Sequence, residues 1–259
     1  MATTNLRLFY SRAYNDTTVG YDTTRKADAI AGSLIDRSID NIQILEPSLV
    51  DADVLRQVHD SDYIDALVSG TPLALAESNG IGWSEDLYPA VLASTSGVCA
   101  AVLAALEGHR AGSLSSGLHH ARRDTGNGNC TLNGLVIAAV QALHHGASRV
   151  LIVDFDAHCG GGTASLIVDR PGIEQIDVSV SPYDSYGSQE NARLWMTGAS
   201  SYIATITEAL ESVEHPETVD VVLYNAGMDP HVDAAGVPGI DTALLRRREE
   251  LVYDWLSSH

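Results

Sequence analysis

Residues 150–158 have the sequence Val-Leu-Ile-Val-Asp-Phe-Asp-Ala-His, and Cys159 and three glycines follow directly. An uninterrupted apolar, β-branched run that ends in glycine is typical of a buried strand in a parallel sheet. Asp154, Asp156 and His158 alternate along this stretch, so we expect them to point to one face while the strand continues. Ionisable groups at the buried end of a strand are costly unless they bind something, and ligands sit at that end of open α/β sheets. The stretch therefore predicts a metal site.

The remaining chain alternates between short apolar runs and helical patterns. The predicted strands are 7–10, 42–45, 176–180 and 219–224, and the predicted helices are 22–31, 54–58, 63–68, 88–106, 133–143, 201–213 and 242–256, the last with its arginines on one side. The stretches 70–86 and 113–130 are rich in turn formers and are predicted to be loops. This alternation favours one α/β domain with a mainly parallel sheet.

The acidic composition argues against two classes of partner. The 259 residues carry a formal net charge of −19, with a sequence pI near 4.6. Such an acidic balance argues against nucleic acid and anionic membranes as partners. The first residues lack the basic-then-apolar pattern of a signal peptide. We expect no run long enough to span a membrane, and therefore a cytoplasmic protein. Three cysteines without a CxxC pair fit a reducing compartment.

Two further places carry polar groups that a folded domain would not need. Asp229 follows a second buried strand, and the carboxyl ends of parallel strands meet at one edge of a sheet. With Asp156 and His158 it would complete an Asp/His/Asp set, as in open zinc or iron sites. The pair His119-His120 lies in the glycine-rich loop. Taken alone, an acid after a strand is more often a cap or turn former, and a histidine pair in a loop is more often structural.

Four motifs in order resemble those of the histone deacetylase and acetylpolyamine amidohydrolase family, which has the arginase/deacetylase fold. They are residues 117–121 (Gly-Leu-His-His-Ala), 128–133 (Gly-Asn-Cys-Thr-Leu-Asn), 153–158 (Val-Asp-Phe-Asp-Ala-His) and 226–229 (Ala-Gly-Met-Asp), and His59 with Tyr63 also matches. The resemblance covers most of the chain. It implies a single three-layer α/β/α domain over residues 1–259, with a mainly parallel sheet.

The resemblance implies hydrolysis of an N-acetyl or other N-acyl amide by metal-activated water. It places Asp156, His158 and Asp229 on a zinc ion, although Fe²⁺ also suits this ligand set. It makes His120 the general base and His119 its electrostatic or acid partner. Asp154 resembles the carboxylate that hydrogen-bonds His119.

The resemblance also implies a second ion and a substrate channel. A monovalent cation, potassium, would be bound partly through backbone carbonyls at Asp154, Asp156, His158 and Ser179. Gly128 and Asn129 would line the substrate channel, and Asn129 replaces a common aromatic residue. We therefore expect a wider or more polar channel, with a small acylated amine or an acetyl-lysine as substrate.

The sequence departs from the family pattern in two ways that bear on catalysis. Gly161 stands where many members carry Asp or Asn directed at the second histidine. The family also continues past a helix like 242–256 with a strand and a glycine-rich loop bearing the tyrosine that stabilises the oxyanion. We therefore expect either a domain incomplete at its C-terminus, whose exposed sheet edge would favour an oligomer, or Tyr183 or Tyr186 in that tyrosine's place.

Two alternatives to the enzyme stay open. A catalytically impaired homologue that binds a metal or an acyl ligand would keep the pocket without the tyrosine. An arginase-like ureohydrolase would explain Asp156-Ala157-His158, but that enzyme needs a further Asp where this chain has Gly160.

Overall fold

The computed structural model describes residues 6–21, 24–37, 39–116, 118–234 and 236–259. They form two compact units, Met1–Ala147 and Ser148–His259. Every pairing between strands in the described residues is parallel, which confirms the predicted α/β class with parallel sheets and flanking helices. Gly117 and the predicted helix start at 22–23 lie outside the described residues. The single-domain organisation stays a prediction.

The described residues of the first unit form a three-stranded sheet and six α-helices. Its sheet has the order β2-β1-β3. The elements are β1 (Leu6–Phe9), α1 (Lys26–Asp36), β2 (Ile42–Leu45), α2 (Ala52–Arg56), α3 (Ser61–Ser69), α4 (Leu73–Ala76), α5 (Leu87–Leu106), β3 (Ala111–Ser113) and α6 (Gly134–His144), with a 3-10 turn at Arg12–Asn15. Helix α4 falls in the stretch 70–86 predicted to be a loop, and β3, of which only Ser113 lies in the predicted loop 113–130, was not predicted. Runs of three or four residues leave too little periodicity to detect.

The second unit is built around the stretch that opened the sequence analysis. Its sheet has the order β6-β5-β4-β7. The elements are β4 (Val150–Asp154), α7 (Gly161–Ile167), β5 (Ile173–Ser179), β6 (Ala192–Met196), α8 (Tyr202–Glu211), β7 (Val221–Asn225) and α9 (Thr242–Ser258), with a 3-10 turn at Pro216–Thr218. All five residues of β4 are buried, as expected of a strand with neighbours on both sides.

Two elements of this unit were not predicted. Strand β6 lies at the edge of the sheet and is only partly buried, so its sequence Ala-Arg-Leu-Trp-Met lacks a clear apolar pattern. Helix α7 begins with two glycines, which have low helix propensity. Six of its seven residues are buried, so tertiary packing overrides the local preference.

Helix α5 corrects the expectation that no run is long enough to span a membrane. Its length and composition alone would allow it to cross one, with a mean hydropathy of 1.8 over its most apolar window. Within the protein, 56% of that window is buried, and α5 packs against α6, β1 and β3. This burial is typical of the core helix of a globular unit.

Candidate metal centre

The central strand β4 ends earlier than expected. Asp154 is its last residue and is fully buried, and it accepts hydrogen bonds from Asn225 Nδ2 at 2.8 Å and from the Asp156 amide at 3.2 Å. Asp156 and His158 lie in the segment that follows. A shared face was expected only while the strand continued, and β4 ends at Asp154, so the argument does not extend to Asp156 or His158.

The turn brings Asp156, His158 and Asp229 together at the ends of β4 and β7. One ligand atom from each lies within 4.8 Å of the other two. His158 Nδ1 is 3.2 Å from Asp156 Oδ1 and 3.1 Å from Asp229 Oδ2. All three side chains are partly exposed, by 17% to 30%, so the cluster is open to solvent.

Backbone N–H groups orient both carboxylates of this cluster. The His158 amide donates to Asp156 Oδ1, and the Ala157 amide donates to Asp229 Oδ1, each at 2.9 Å. The Ala157 carbonyl in turn accepts from Val180 and Ser181, at 3.0 and 2.8 Å. The ligand segment after β4 is thereby tied to both the β7 loop and the chain after β5.

Gly227 allows Asp156 to approach the β7 loop. A Cβ at position 227 would lie 2.5 Å from Asp156 Cα and 2.6 Å from its Oδ2. Real Cβ atoms do not come this close to backbone, so any side chain here would displace Asp156. The glycine in the Ala-Gly-Met-Asp motif is thus a requirement for the geometry of the cluster.

The electrostatics of the cluster suit a cation. Hydrogen bonds to Asp156 and then Asp229 raise the pKa of His158 to about 9. Two carboxylates therefore hold a positive charge on the imidazole between them. An open Asp/His/Asp donor set fits Zn²⁺ or Fe²⁺.

A second buried carboxylate lies beside Asp154, and sequence reasoning missed it. Asp177 of β5 is the direct strand partner of Asp154, and both are fully buried. Asp177 accepts from the Ser179 hydroxyl at 2.6 Å and from the Gly160 amide at 2.7 Å. The sequence signal was an acid within the apolar run of β5. The monovalent-cation site predicted at Asp154, Asp156, His158 and Ser179 stays a prediction.

Asp184 occupies the space beside Gly161. A Cβ at position 161 would lie 2.2 Å from the Asp184 carbonyl oxygen and 2.8 Å from its Oδ1. Asp184 has a φ of 58°, and its Oδ2 accepts from the Gly162 amide at 3.1 Å. The departure at Gly161 therefore has a steric reason, since a neighbouring loop residue fills the position of its side chain.

The two tyrosines considered as oxyanion donors have different surroundings. Tyr186 accepts a hydrogen bond from Gln175 Nε2 at 2.7 Å and donates to the Arg193 carbonyl at 3.4 Å, so its hydroxyl is engaged with β5 and β6. The Tyr183 ring meets the His158 ring edge-on, with centroids 5.9 Å apart. Of the two, Tyr183 contacts the cluster.

In the first unit, the backbone of the His119-His120 pair is held by the side chain of Asn133. Their rings are in contact, with centroids 3.9 Å apart and planes inclined by 40°, and each residue is only 4% exposed. Asn133 Nδ2 donates to the carbonyls of His119 and Ala121, each at 3.3 Å. Its Oδ1 caps α6 by accepting from the Val136 amide at 3.1 Å. Asn133 is a positioning residue whose motif was recognised without its role.

His59 holds the chain after the histidine pair through two hydrogen bonds to its backbone. Its Nδ1 lies 2.7 Å from the Arg122 carbonyl, and its Nε2 accepts from the Asn133 amide at 3.0 Å. A carbonyl can only accept, so Nδ1 carries the proton and the ring is neutral. Burial lowers the pKa of His59 to about 4.

The predicted channel residues form a tight turn in the first unit. Gly128 and Asn129 both have positive φ, 52° and 63°. The Asn129 amide donates to the Asn79 carbonyl at 2.9 Å, and its side-chain amide donates to the Tyr21 hydroxyl at 3.0 Å. Their role in a substrate channel stays a prediction.

Comparison with known proteins shows the family of the chain. The family model described as the histone deacetylase domain matches residues 21–258. The chain belongs to the histone deacetylase domain family. An uncharacterised protein of Picosynechococcus sp. is 32% identical over 217 residues, covering 81% of this chain and 72% of the relative. Histone deacetylase 2 of Arabidopsis thaliana is 25% identical over 269 residues, covering 95% and 69%.

A solved structure agrees at the level of the fold. Acetylpolyamine aminohydrolase from Burkholderia pseudomallei superposes with a TM-score of 0.80 at 18% identity, covering 96% of this chain and 90% of that one. This confirms the predicted deacetylase-like fold. Membership in the histone deacetylase family supports amide hydrolysis as the general class of reaction.

Proposed function

We propose that this protein is a metal-dependent deacetylase that hydrolyses an N-acetyl or similar N-acyl amide. The observation that carries the proposal is the cluster of Asp156, His158 and Asp229, whose ligand atoms lie within 4.8 Å of one another in a member of the histone deacetylase family. These residues would hold Zn²⁺, or Fe²⁺, through two carboxylates and one imidazole nitrogen.

The chain's own residues would share the remaining work. A bound ion would polarise the amide carbonyl and lower the pKa of water toward about 7. The amides of Ala157 and His158 would keep the two carboxylates oriented. From the family motif we assign His120 to take the proton of the attacking water and His119 to stabilise or protonate the leaving amine. Asp154 would fix the orientation of His119.

The proposed substrate is a small acylated amine or an acetyl-lysine side chain. The names of two relatives, an acetylpolyamine aminohydrolase and a histone deacetylase, support these two classes. The net charge of −19 favours a cationic amine, although salt screens this attraction beyond about 10 Å. The potassium ion and the channel at Gly128 and Asn129 belong to the same proposal.

The test combines metal analysis with turnover. The chelator-treated chain would be titrated with Zn²⁺ and assayed on a fluorogenic acetyl-lysine amide and on an N-acetylated diamine. Asp229→Asn removes a proposed ligand, and Asp233→Asn is the matched control, because the Asp233 side chain is 87% exposed on the same loop. We expect one equivalent of Zn²⁺ and turnover in the wild type and in Asp233→Asn, and neither in Asp229→Asn.

Other outcomes separate the alternatives. One equivalent of metal without turnover of either amide would favour the metal- or ligand-binding homologue. Absence of a stoichiometric metal in the wild type would overturn the proposal.

A further inference from the structure

Arg248 lies on the buried face of α9. Its side chain is fully buried, and Leu245 and Val252 are buried on the same helix at helical spacing. An amphipathic helix ordinarily carries an apolar residue at such a position. A buried guanidinium is destabilising unless its charge and its N–H groups have partners. The residue therefore needs an explanation beyond core packing.

Each nitrogen of the buried guanidinium has a partner. Nε and Nη2 donate to Glu249 Oε1 at 2.8 and 2.5 Å, which balances the charge. Nη1 donates to the carbonyls of Phe155 and Gly227 at 2.9 and 2.7 Å, and lies 3.2 Å from the Tyr202 hydroxyl. One nitrogen thus joins two backbone carbonyls from different parts of the chain.

These two carbonyls belong to the segments that supply the candidate metal ligands. Phe155 immediately precedes Asp156, and Gly227 lies two residues before Asp229. The sheet ladder between the two segments ends where the Phe155 amide donates to the Asn225 carbonyl at 3.2 Å. Beyond that point the guanidinium joins the two segments, together with the bond from the Ala157 amide to Asp229 Oδ1.

We propose that Arg248 is a positioning residue that sets the spacing between the segment after β4 and the segment after β7, and so holds Asp156 and Asp229 at the distance an ion requires. This inference rests on the proposed metal dependence. An arginine suits the role because its planar guanidinium presents five N–H groups in fixed directions, whereas lysine offers one flexible ammonium. Glu249 in turn anchors the guanidinium.

The test measures Co²⁺ binding to the full chain after chelator treatment. Co²⁺ accepts the same ligands as Zn²⁺, and its visible bands report coordination geometry. Arg248→Lys keeps the charge and removes the fork, while Arg247→Lys is the matched control on the neighbouring, exposed position. We expect Arg248→Lys to weaken Co²⁺ binding about 10- to 100-fold and to shift the bands. Arg247→Lys should change neither.

A second variant covers the case in which Arg248→Lys does not fold. Glu249→Gln preserves the shape of the partly exposed partner and removes its charge. We expect a smaller weakening of Co²⁺ binding in the same direction, with a shift of the bands. Wild-type affinity and bands in either folded variant would overturn the inference.

Hydrogen exchange separates this inference from the proposed function. Without metal, the amides of 155–158 should exchange faster in Arg248→Lys than in the wild type and in Arg247→Lys. The Ala157 amide is the most direct reporter, because it bonds Asp229 Oδ1 across the two segments. If the wild type binds no Co²⁺, the metal proposal fails, and unchanged exchange in Arg248→Lys would then overturn the crosslink as well.

Discussion

His59 in the first unit and His158 in the second carry the same imidazole in opposite surroundings. His59 is fully buried between a carbonyl and an amide N–H, and burial lowers its pKa to about 4. His158 is partly exposed between two carboxylates, and their hydrogen bonds raise its pKa to about 9. The first ring joins backbone segments as a neutral group, and the second lies where positive charge is stabilised.

This contrast shows what decides the role of a histidine. Neutral hydrogen-bonding partners and burial disfavour the charged ring, whereas carboxylates favour it. The capacity to hold positive charge therefore belongs to the surroundings of His158 and not to the residue type. Each of the following changes alters one side of the contrast and leaves the other intact.

The largest expected effect comes from Gly227→Ala. The new Cβ would displace Asp156, with which it would otherwise overlap at 2.5 Å, and so disturb the surroundings of His158 without removing any charge. We expect Zn²⁺ affinity to fall about 100-fold and unfolding free energy to fall by about 1–3 kcal/mol. Gly198→Ala is the control, because nothing lies within 4 Å of a Cβ there. Zinc titration and urea unfolding measure both quantities, and wild-type values in Gly227→Ala would contradict the steric argument.

Asn133→Ala tests the neutral hydrogen-bond network around His59 in the first unit, to which Asn133 belongs. It removes a helix cap and two donors to the carbonyls of His119 and Ala121. We expect unfolding free energy to fall by about 2–3 kcal/mol. Asp241→Ala removes only an exposed cap of α9 and should cost about 1 kcal/mol. Equal losses in urea unfolding would show that the buried donors contribute nothing.

The pH dependence of stability should reveal His59. Its pKa is about 4 when folded and about 6.5 when unfolded, so the unfolded chain takes up the proton first as the pH falls. The contribution to stability is complete above pH 6.5 and is lost toward pH 4. Between pH 7 and pH 5 the loss is about 2 kcal/mol.

His59→Gln should remove this component of the pH dependence, since glutamine keeps a donor and an acceptor but does not titrate. His144→Gln, at an exposed position, should leave it in place. Urea unfolding at pH 7 and pH 5 measures the difference. Identical pH dependence in His59→Gln and the wild type would rule out a neutral, buried His59.

The smallest effect should come from Tyr183, whose ring meets His158 edge-on with centroids 5.9 Å apart. Such ring contacts contribute about 0.5–1.5 kcal/mol. Tyr183→Leu should therefore weaken Zn²⁺ binding by no more than about 10-fold, and Tyr183→Phe should leave it unchanged. Equal weakening in both variants would assign the contribution to the hydroxyl instead of the ring.

The local patterns sufficed for most of the fold. The apolar run of β4 and the long helical patterns of α5 and α9 were recognisable because periodicity over many residues is a strong signal. The edge strand β6 and the glycine-rich helix α7 were missed, because their stability comes from neighbours distant in sequence. The spacing of Asp156 and His158 drew attention to a segment that groups with Asp229 in the structure, although β4 ends before either residue.

The sequence by itself determined the class of fold, the family and the segments from which ligands could come, because these depend on residues close along the chain. Only the tertiary structure decided how those segments are held. Residues 246–248 are three consecutive arginines, expected on one side of a helix. In the structure Arg246 and Arg247 are exposed while Arg248 is buried. Successive helical residues point about 100° apart, so the packing of α9 on its core selects which arginine meets the carbonyls of Phe155 and Gly227.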